Sequence, residues 1–196
     1  MLILVRHGRT AFNAAGKLVG RLDPPLDEVG LAQAAAIGEA LKGVDRVVSS
    51  PLLRARQTAE YIGGPVEVDD RWIEVDYGEY DGMVLGSQEA VALWEAWRSD
   101  VSIMPPGGES LEDMGHRVVS ALDELLPEAA KLDIAVVSHV SPIKAAVSYV
   151  LGAGPETAWR SHLDPASISR ITISPRGAVL RTFNETWHLA AVRTEA

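Results

Sequence analysis

Three short apolar segments constrain the fold of this chain most strongly. Leu2–Val5 and Ile134–Val137 are uniformly apolar, and Arg46–Ser49 repeats the pattern around Val47 and Val48. Such runs are typical of strands that are buried on both faces. A stretch with helical spacing of apolar residues follows each of them. Because alternating strands and helices form a sheet covered on both faces, we predict a three-layer α/β/α fold with a largely parallel sheet.

Capping residues predict where these helices begin and end. Asp27 precedes the first helical stretch and Gly43 follows it. Ser50 is the predicted N-cap of the next helix, with Pro51 at its first position and Gly63 after its end. The remaining predicted elements are two helices, Ser110 to about Leu126 and Ser141 to about Gly152, and two late strands, Ile168–Ile173 and Ala178–Phe183.

Residues 71–106 interrupt this alternation. The segment mixes aromatic residues with acidic residues and glycines; the aromatic residues are Trp72, Tyr77, Tyr80, Trp94 and Trp97. We interpret it as an excursion that covers a ligand site, and we call it the roof segment. No repeat or linker is evident elsewhere, so residues 1–196 are predicted to form a single domain.

Composition removes several classes of function. Hydrophobic residues make up 47% of the 196, enough for one substantial core. The net charge of −9 disfavours a nucleic-acid partner. No apolar run approaches the roughly 20 residues that cross a bilayer, and cysteine is absent. We therefore expect no membrane span, no disulfide and no thiolate metal site, and we take the cytosol as the expected compartment.

Two histidines occupy equivalent positions, because His7 and His139 each come at the end of a predicted buried strand. Ligand sites of parallel sheets lie at the carboxyl ends of the strands. Arg6 precedes the first histidine, and Gly8 after it permits a sharp turn. Arg54 lies in the first turn of the helix after the second strand, close to N–H groups that favour anions. These basic groups are predicted to converge at one edge.

A phosphate dianion is the natural ligand of such a cluster. Like charges gathered in a partly desolvated cleft repel one another unless an anion neutralises them. Arginine binds phosphoryl oxygens in a bidentate way, and a neutral imidazole can attack phosphorus. The neighbouring cations should lower the pKa of His7 and so keep its lone pair free. The pattern therefore indicates phosphoryl transfer.

The segment Arg6–Asn13, with the sequence RHGRTAFN, resembles the R-H-G-x-T-x-x-N signature of the histidine phosphatase superfamily, in its phosphoglycerate mutase-like branch. Further blocks resemble the family in the same order; they are Asp27–Ala34, Ser49–Ala55, Glu74–Gly82, Gly108–Ser110, Val137–His139 and Asn184–Leu189. The resemblance covers nearly the whole chain.

The resemblance implies a two-step mechanism. His7 would be the nucleophile that becomes phosphohistidine, and Glu74 would protonate the leaving oxygen and later accept a proton from water. The groups that would hold the phosphoryl oxygens are Arg6, Asn13, Arg54 and His139. No metal and no other cofactor is implied. The partner would be a small phosphorylated metabolite.

Some assignments have alternatives at this stage. Arg56 competes with Arg54, but Glu60 lies one turn ahead of Arg56 and indicates an ordinary surface pair. Glu79 is the second choice for the acid, since several carboxylates share that segment and only the resemblance selects Glu74. Asn13 could equally be a turn residue that bonds its own backbone.

Residues outside this set are harder to assign. Arg21 and Val140 are possible substrate contacts, and Val140 stands where many members of the family have glycine. His162 either lines the cleft or packs elsewhere. The segment that contains Val140 resembles phosphatase domains of the α-ribazole phosphatase and acid phosphatase type.

We predict a phosphomonoesterase. A phosphoglycerate mutase is the first alternative, although a mutase must exclude water, and the short chain favours hydrolysis. A non-catalytic module that binds phosphorylated ligands is the second alternative. The substrate and the oligomeric state remain open at this point.

Overall fold

Six strands and six helices form the protein in a computed structural model, which describes residues 1–192. The strands are β1 (Leu2–Arg6), β2 (Arg46–Ser49), β3 (Val66–Val68), β4 (Ile134–Ser138), β5 (Ile168–Ser174) and β6 (Gly177–Glu185). The helices are α1 (Ala11–Ala14), α2 (Glu28–Ala40), α3 (Leu53–Ile62), α4 (Gln88–Ser99), α5 (Leu111–Ala129) and α6 (Val140–Leu151). Short 3-10 turns cover Asp70–Trp72, Gly78–Tyr80, Pro155–Arg160 and Trp187–Leu189.

One sheet contains all six strands, in the order β3-β2-β4-β1-β5-β6. The pairs formed among β1 to β4 are parallel, whereas β5 is antiparallel to β1 and β6 is antiparallel to β5. The predicted fold class is confirmed, and the two late strands form an antiparallel edge. The three-residue strand β3 has no counterpart among the predicted strands.

Alternate residues of strand β1 enter two separate cores. Leu2 and Leu4 pack with residues of α4, α5 and α6. Ile3 and Val5 pack with residues of α2 and α3 on the opposite face. Successive side chains of a strand point to opposite faces of the sheet. The helices therefore form one layer on each side, as the uniformly apolar strand predicts.

The start of helix α3 differs from the prediction. The helix begins at Leu53, and its N-cap residue Leu52 has no capping side chain. The Leu53 N–H donates instead to Asp23 Oδ1 at 2.6 Å, so the cap comes from a distant loop. Ser50 and Pro51 lie before the helix, and their predicted capping roles are wrong.

The other predicted helix ends are closer to those observed. Helix α2 begins within one residue of its predicted start at Asp27, which is its N-cap, and Ser110 is the N-cap of α5 at the predicted capping start. Helix α5 continues beyond Leu126 to Ala129. Helix α6 begins directly after His139, and Gly152 ends it in the left-handed conformation, with φ of 62°.

The roof segment leaves the sheet and packs on the core that α5 and α6 share. It contains helix α4, and its side chains Trp72 and Trp97 are fully buried in that core. The roof also contacts the loop after β1, because Leu18 N donates to Met83 O at 2.8 Å. Within residues 1–192, no helix is both long enough and apolar enough to span a bilayer.

Candidate active site

The sheet brings the two strand-end histidines together. Strands β1 and β4 are parallel neighbours, with Arg6 opposite Ser138, so the next residues are His7 and His139 at the same edge. Their ring centroids lie 5.1 Å apart, and both side chains are buried. The convergence expected from the positions of the strands is therefore present.

Hydrogen bonds select one tautomer of His7. Nδ1 lies 2.7 Å from the carbonyl oxygen of Gly8, so Nδ1 carries the proton and donates it. Nε2 accepts a hydrogen bond from Nε of Arg54 at 3.2 Å. The lone pair that could attack phosphorus is therefore on Nε2, on the side of the arginine.

The environment keeps this imidazole neutral. Burial lowers the pKa of His7 well below its ordinary value of 6.5, and the charges of Arg54 and Arg6 lower it further. The predicted direction is confirmed, although burial contributes more than the neighbouring cations. A neutral imidazole is the form that can act as a nucleophile.

Arg54 is fully buried and is held by backbone oxygens. Nη1 donates to Leu22 O at 2.7 Å, and Nη2 donates to Gly20 O at 2.9 Å and to Val19 O at 3.3 Å. In the described part of the chain this guanidinium forms no ion pair with a carboxylate. Its positive charge is therefore oriented without being neutralised by a direct partner.

A carboxylate of the roof segment fixes the loop that holds Arg54. Asp81 Oδ1 accepts from Gly20 N at 2.7 Å, and Oδ2 accepts from the backbone N–H groups of Arg21 and Leu22, both at 2.8 Å. The N–H groups of this loop point to Asp81 while its carbonyls point to Arg54. Asp81 was not singled out from the sequence, since nothing in its spacing marks it among the neighbouring acidic residues.

Arg6 reaches the same edge from the end of β1. Its Nη1 donates to Leu163 O at 2.6 Å, while its buried Nε has no hydrogen-bond partner in residues 1–192. Burial lowers the pKa of Arg6 to about 10, against the opposing effect of the Glu74 carboxylate. The guanidinium stays charged at neutral pH and retains unused donors.

His139 is the N-cap residue of α6 and is completely buried. Its Nε2 shares a hydrogen bond of 2.7 Å with Ser50 Oγ, whereas its Nδ1 is buried without a partner among the described residues. Burial, followed by the charge of Arg54, lowers the pKa of His139 well below 6.5. The Ser50 hydroxyl thus orients an imidazole, a role that its position before a helix did not suggest.

Glu74 lies opposite these basic groups and is only 4% exposed. Its Oε1 accepts from Val75 N at 2.9 Å and from Ser141 N at 3.2 Å, at the start of α6. Glu79, the alternative acid, is exposed to solvent. The structure therefore brings Glu74 and not Glu79 to the basic cluster.

Arg117 of helix α5 supports the backbone that carries Glu74. It donates to the carbonyl oxygens of Arg71 at 2.7 Å, Ile73 at 2.6 Å and Glu74 at 3.3 Å. The same guanidinium binds both carboxylate oxygens of Glu109, at 2.7 and 2.8 Å. Sequence reasoning missed Arg117, because an arginine within an amphipathic helix carries no local signal of such a contact.

The position of Asn13 is compatible with both of its predicted roles, as a turn residue and as a ligand of the phosphoryl group. Its Oδ1 accepts from Thr10 N at 3.0 Å and Thr10 Oγ1 at 3.0 Å in a capping box of α1. This arrangement leaves the amide nitrogen, which makes no hydrogen bond within residues 1–192, as a free donor. Asn13 also lines the cavity described below.

The structure places Val140, His162 and Arg21, whose roles were uncertain, in different surroundings. Val140 lines the cavity, and so does His162, whose side chain is 80% exposed and lies 3.1 Å from Asp164. The Arg21 guanidinium lies 3.5 Å from Glu109 and 3.8 Å from Asp76, and it is not part of the cavity wall. The structure therefore does not support the expected contact between Arg21 and the substrate.

Gly8 is required for a close approach of two backbone segments, because a Cβ there would lie 2.6 Å from the carbonyl oxygen of Gly30. The expected ion pair between Arg56 and Glu60 is not formed within the described residues, although Arg56 is exposed as that interpretation required.

A cavity of about 730 Å³ adjoins the site. Four of the predicted residues line one part of it; they are Arg6, His7, Asn13 and Glu74. Within residues 1–192, no group of three or more His, Asp or Glu side chains is placed to hold a metal ion. The cavity wall offers a neutral imidazole, the Arg6 guanidinium and the buried carboxyl group of Glu74, whereas Arg54 and His139, both fully buried beside His7, are not part of that wall.

Comparisons with known proteins agree with this chemistry. The family model described as histidine phosphatase superfamily (branch 1) matches residues 2–186. Phosphoserine phosphatase 1 of Hydrogenobacter thermophilus is 34% identical over 206 residues, which cover 100% of this chain and 97% of that protein. A solved structure of a phosphoserine phosphatase mutant from Entamoeba histolytica, in complex with phosphoserine, superposes with a TM-score of 0.88 at 28% identity, over 96% of this chain and 98% of that one.

Longer proteins also match. A bifunctional protein of Mycobacterium tuberculosis is 37% identical over 198 residues, covering 96% of this chain. The match spans 54% of that protein, so this chain accounts for about half the length of the mycobacterial relatives.

Proposed function

Because the chain belongs to the histidine phosphatase superfamily, branch 1, we propose that it is a phosphomonoesterase that acts through a phosphohistidine on His7. Its substrate would be a small phosphorylated metabolite. The observation that carries the proposal is the neutral His7 imidazole, whose Nε2 lone pair lies 3.2 Å from Nε of Arg54 at the wall of the cavity.

When the substrate binds, one hydrogen bond of Arg54 changes its acceptor from His7 to the phosphoryl group. The Arg54 N–H that occupies the lone pair of His7 turns to a phosphoryl oxygen, and the lone pair is then free to attack. Arg6 and His139 hold the other oxygens, together with the amide nitrogen of Asn13. Their charges and donors match the negative charge that these oxygens carry in the transition state.

The chemistry then follows two balanced steps. His7 Nε2 forms a bond to phosphorus while the bond between phosphorus and the alcohol oxygen breaks, and Glu74 donates a proton to that oxygen. In the second step a water molecule attacks the phosphohistidine and gives a proton to Glu74, the P–N bond breaks, and inorganic phosphate is released. Glu74 thereby regains the proton that it gave up in the first step.

Labelling with ³²P tests the intermediate. The enzyme is mixed with a labelled phosphomonoester and quenched in alkali, in which phosphohistidine survives. We expect labelled wild-type protein, no label on His7→Ala, and at least about a 10⁴-fold loss of p-nitrophenyl phosphate hydrolysis in that variant. An equally labelled and active His7→Ala would refute the proposal.

Two arginines of the same helix provide a matched comparison for phosphate binding. Arg54→Ala should raise KM and lower kcat, because it removes buried donors from the phosphoryl group. Arg56→Ala removes an exposed guanidinium and should behave like the wild type. Equal effects of the two substitutions would contradict the assignment of Arg54.

The alternatives are measured with the same protein. Incubation with 3-phosphoglycerate and a bisphosphoglycerate primer detects isomerisation, and a mutase would isomerise efficiently with negligible release of phosphate. A binding module would hydrolyse no ester of a broad panel while still binding one tightly. The single-domain organisation and the cytosolic location stay predictions.

A further inference from the structure

We propose that the cavity beside the phosphate site holds the alcohol part of the substrate and selects an aromatic or bulky apolar group there. This inference rests on the proposed function and names the class of ester on which the site acts. Its basis is the wall of the cavity, the size of the cavity and the surrounding charges.

The cavity extends from His7 between the roof segment and helices α5 and α6. Apart from the catalytic end, its wall is mainly apolar; examples are Leu18, Leu85, Val119, Ala145, Trp94 and Trp159. Its volume of about 730 Å³ lies within the range of roughly 300–1,000 Å³ that is typical of pockets for drug-sized ligands. A three-carbon alcohol would leave most of this apolar wall in contact with water.

Aromatic rings form one side of this wall. Trp94 lies 5.8 Å from Tyr77, 5.6 Å from Trp97 and 6.2 Å from Trp159, measured between ring centroids. Trp97 is buried and its ring is fixed, since its Nε1 donates to Ile103 O at 2.7 Å. Trp94 and Trp159 are only half-buried and line the cavity. A flat apolar group can stack on these rings.

Few charges around the cavity favour a second anionic group on the substrate, although the Arg98 guanidinium lies 5.4 Å from the ring centroid of Trp159. Arg117 and Arg21 face the carboxylate of Glu109, and Arg54 is directed at His7. The lysines of the wall are Lys17 and Lys144. Neither lysine offers the bidentate fork that binds a carboxylate best.

Both lysines also have other contacts. Lys144 Nζ donates to Ala158 O at 2.9 Å, and burial lowers its pKa. Lys17 Nζ lies 5.5 Å from the ring centroid of Phe12. In addition, the acidic side chain of Glu112 lines the same cavity and would repel a carboxylate. An uncharged apolar alcohol therefore fits the wall better than a carboxylate-bearing one.

A comparison of two alkyl esters measures the contribution of the apolar wall independently of the chemical step. Ethyl phosphate and 2-phenylethyl phosphate both release a primary alcohol, so their leaving groups are similar, and only the second carries a ring. We expect kcat/KM to be at least about 10-fold higher for 2-phenylethyl phosphate, since the cavity removes the ring from water. Phosphoserine and 3-phosphoglycerate should be poorer substrates than the phenylethyl ester.

Variants of the wall test the location of the contact. Trp159→Ala should lower the ratio of kcat/KM between the phenylethyl and ethyl esters towards one. Trp187→Ala is the matched control, because Trp187 is 65% exposed and is not part of the cavity wall; its ratio should equal that of the wild type. Leu85→Lys adds a charge at a side chain that is 47% exposed and so leaves the core intact. Leu85→Lys should raise kcat/KM for phosphoserine relative to kcat/KM for the phenylethyl ester.

The outcomes are distinct. A wild-type ratio near one, or phosphoserine as the best substrate, would overturn this inference and leave the phosphatase intact. Failure to hydrolyse either alkyl ester and p-nitrophenyl phosphate would overturn the proposed function itself. An unchanged ratio in both Trp159→Ala and Leu85→Lys would show that the ring binds elsewhere.

Discussion

Replacement of Glu74 by glutamine separates proton transfer by this side chain from its hydrogen bonds to the backbone. Glutamine has the same shape, and its Oε1 can still accept from Val75 N and Ser141 N, which lie 2.9 and 3.2 Å from the carboxylate oxygen. The buried backbone donors stay satisfied, so the fold should persist. What the variant cannot do is give a proton to the leaving oxygen.

The size of the loss depends on the leaving group. A general acid contributes typically about 10²- to 10⁴-fold, which corresponds to about 2.7 to 5.4 kcal/mol of activation free energy. An alkyl phosphate needs this proton, so kcat/KM of Glu74→Gln should fall by that factor. The p-nitrophenolate anion leaves readily without a proton, so kcat/KM for its ester should fall less than about tenfold.

The assay must isolate the first step, because the proposed base role of Glu74 in the second step affects all substrates alike. The ratio kcat/KM reports the formation of phosphohistidine, whereas kcat includes its hydrolysis. Glu74→Gln should therefore also show a burst of p-nitrophenol, as the intermediate accumulates. Glu79→Gln removes an exposed carboxylate of the same segment and serves as the control. An equal loss of kcat/KM for the alkyl and aryl esters would refute Glu74 as the acid.

Two further substitutions and one change of pH test the contacts and charges that hold the site in place. Asp81→Ala frees three backbone N–H groups of the loop that holds the buried active-site arginine, and KM for p-nitrophenyl phosphate should rise about tenfold. Gly30→Ala places a Cβ against the carbonyl oxygen of Arg9 and should lower the free energy of unfolding in urea by at least about 2 kcal/mol. The pKa values of His7 and His139 are lowered from 6.5, so below pH 6.5 the unfolded chain binds more protons than the native one. Stability to urea should therefore decrease as the pH is lowered from neutral to 5.5, by on the order of 1 kcal/mol per histidine.

Each of these expectations has a matched control. Asp70→Ala removes an exposed carboxylate at the edge of the roof segment and should leave KM unchanged. Gly115→Ala lies in α5 with no atom near the new methyl group, so the change should stabilise the protein by about 0.5–1 kcal/mol. His162→Ala removes an exposed imidazole and should keep the loss of stability with pH. An unaltered KM in Asp81→Ala, a stable Gly30→Ala or a flat stability profile between pH 6.5 and 5.5 would contradict the corresponding argument.

The parts that could be predicted from the sequence depend on local patterns. The uniform apolar run of β1 required burial on both faces, and the structure divides its residues between two cores. The positions of His7 and His139 directly after two such runs required them to share an edge once the strands were parallel neighbours. Asp27 and Ser110 cap their helices, because an N-cap depends on residues three positions apart.

The parts that could not be predicted depend on contacts between distant segments. Asp23 caps α3 across a separation of 30 residues, so the local signal of Ser50 and Pro51 indicated the wrong start. Asp81 reaches a loop that lies some 60 positions earlier in the chain. Arg117 reaches the backbone of residues 71–74. No periodicity or short motif records such contacts, since they follow from tertiary packing alone.

The hydrogen-bond acceptors of each arginine indicate its role. An arginine paired with a carboxylate supports the structure, whereas one held only by carbonyl oxygens can still bind an anionic ligand. Arg117 binds the Glu109 carboxylate with two hydrogen bonds, so its charge is neutralised where it stands. Arg54 is fully buried and Arg6 is partly buried, yet their oxygen partners are carbonyl groups. Carbonyl oxygens orient a guanidinium and reduce the cost of burial without cancelling its charge. Two guanidiniums interact with the single carboxyl group of Glu74, so the site keeps an excess of positive charge that a phosphoryl dianion would balance.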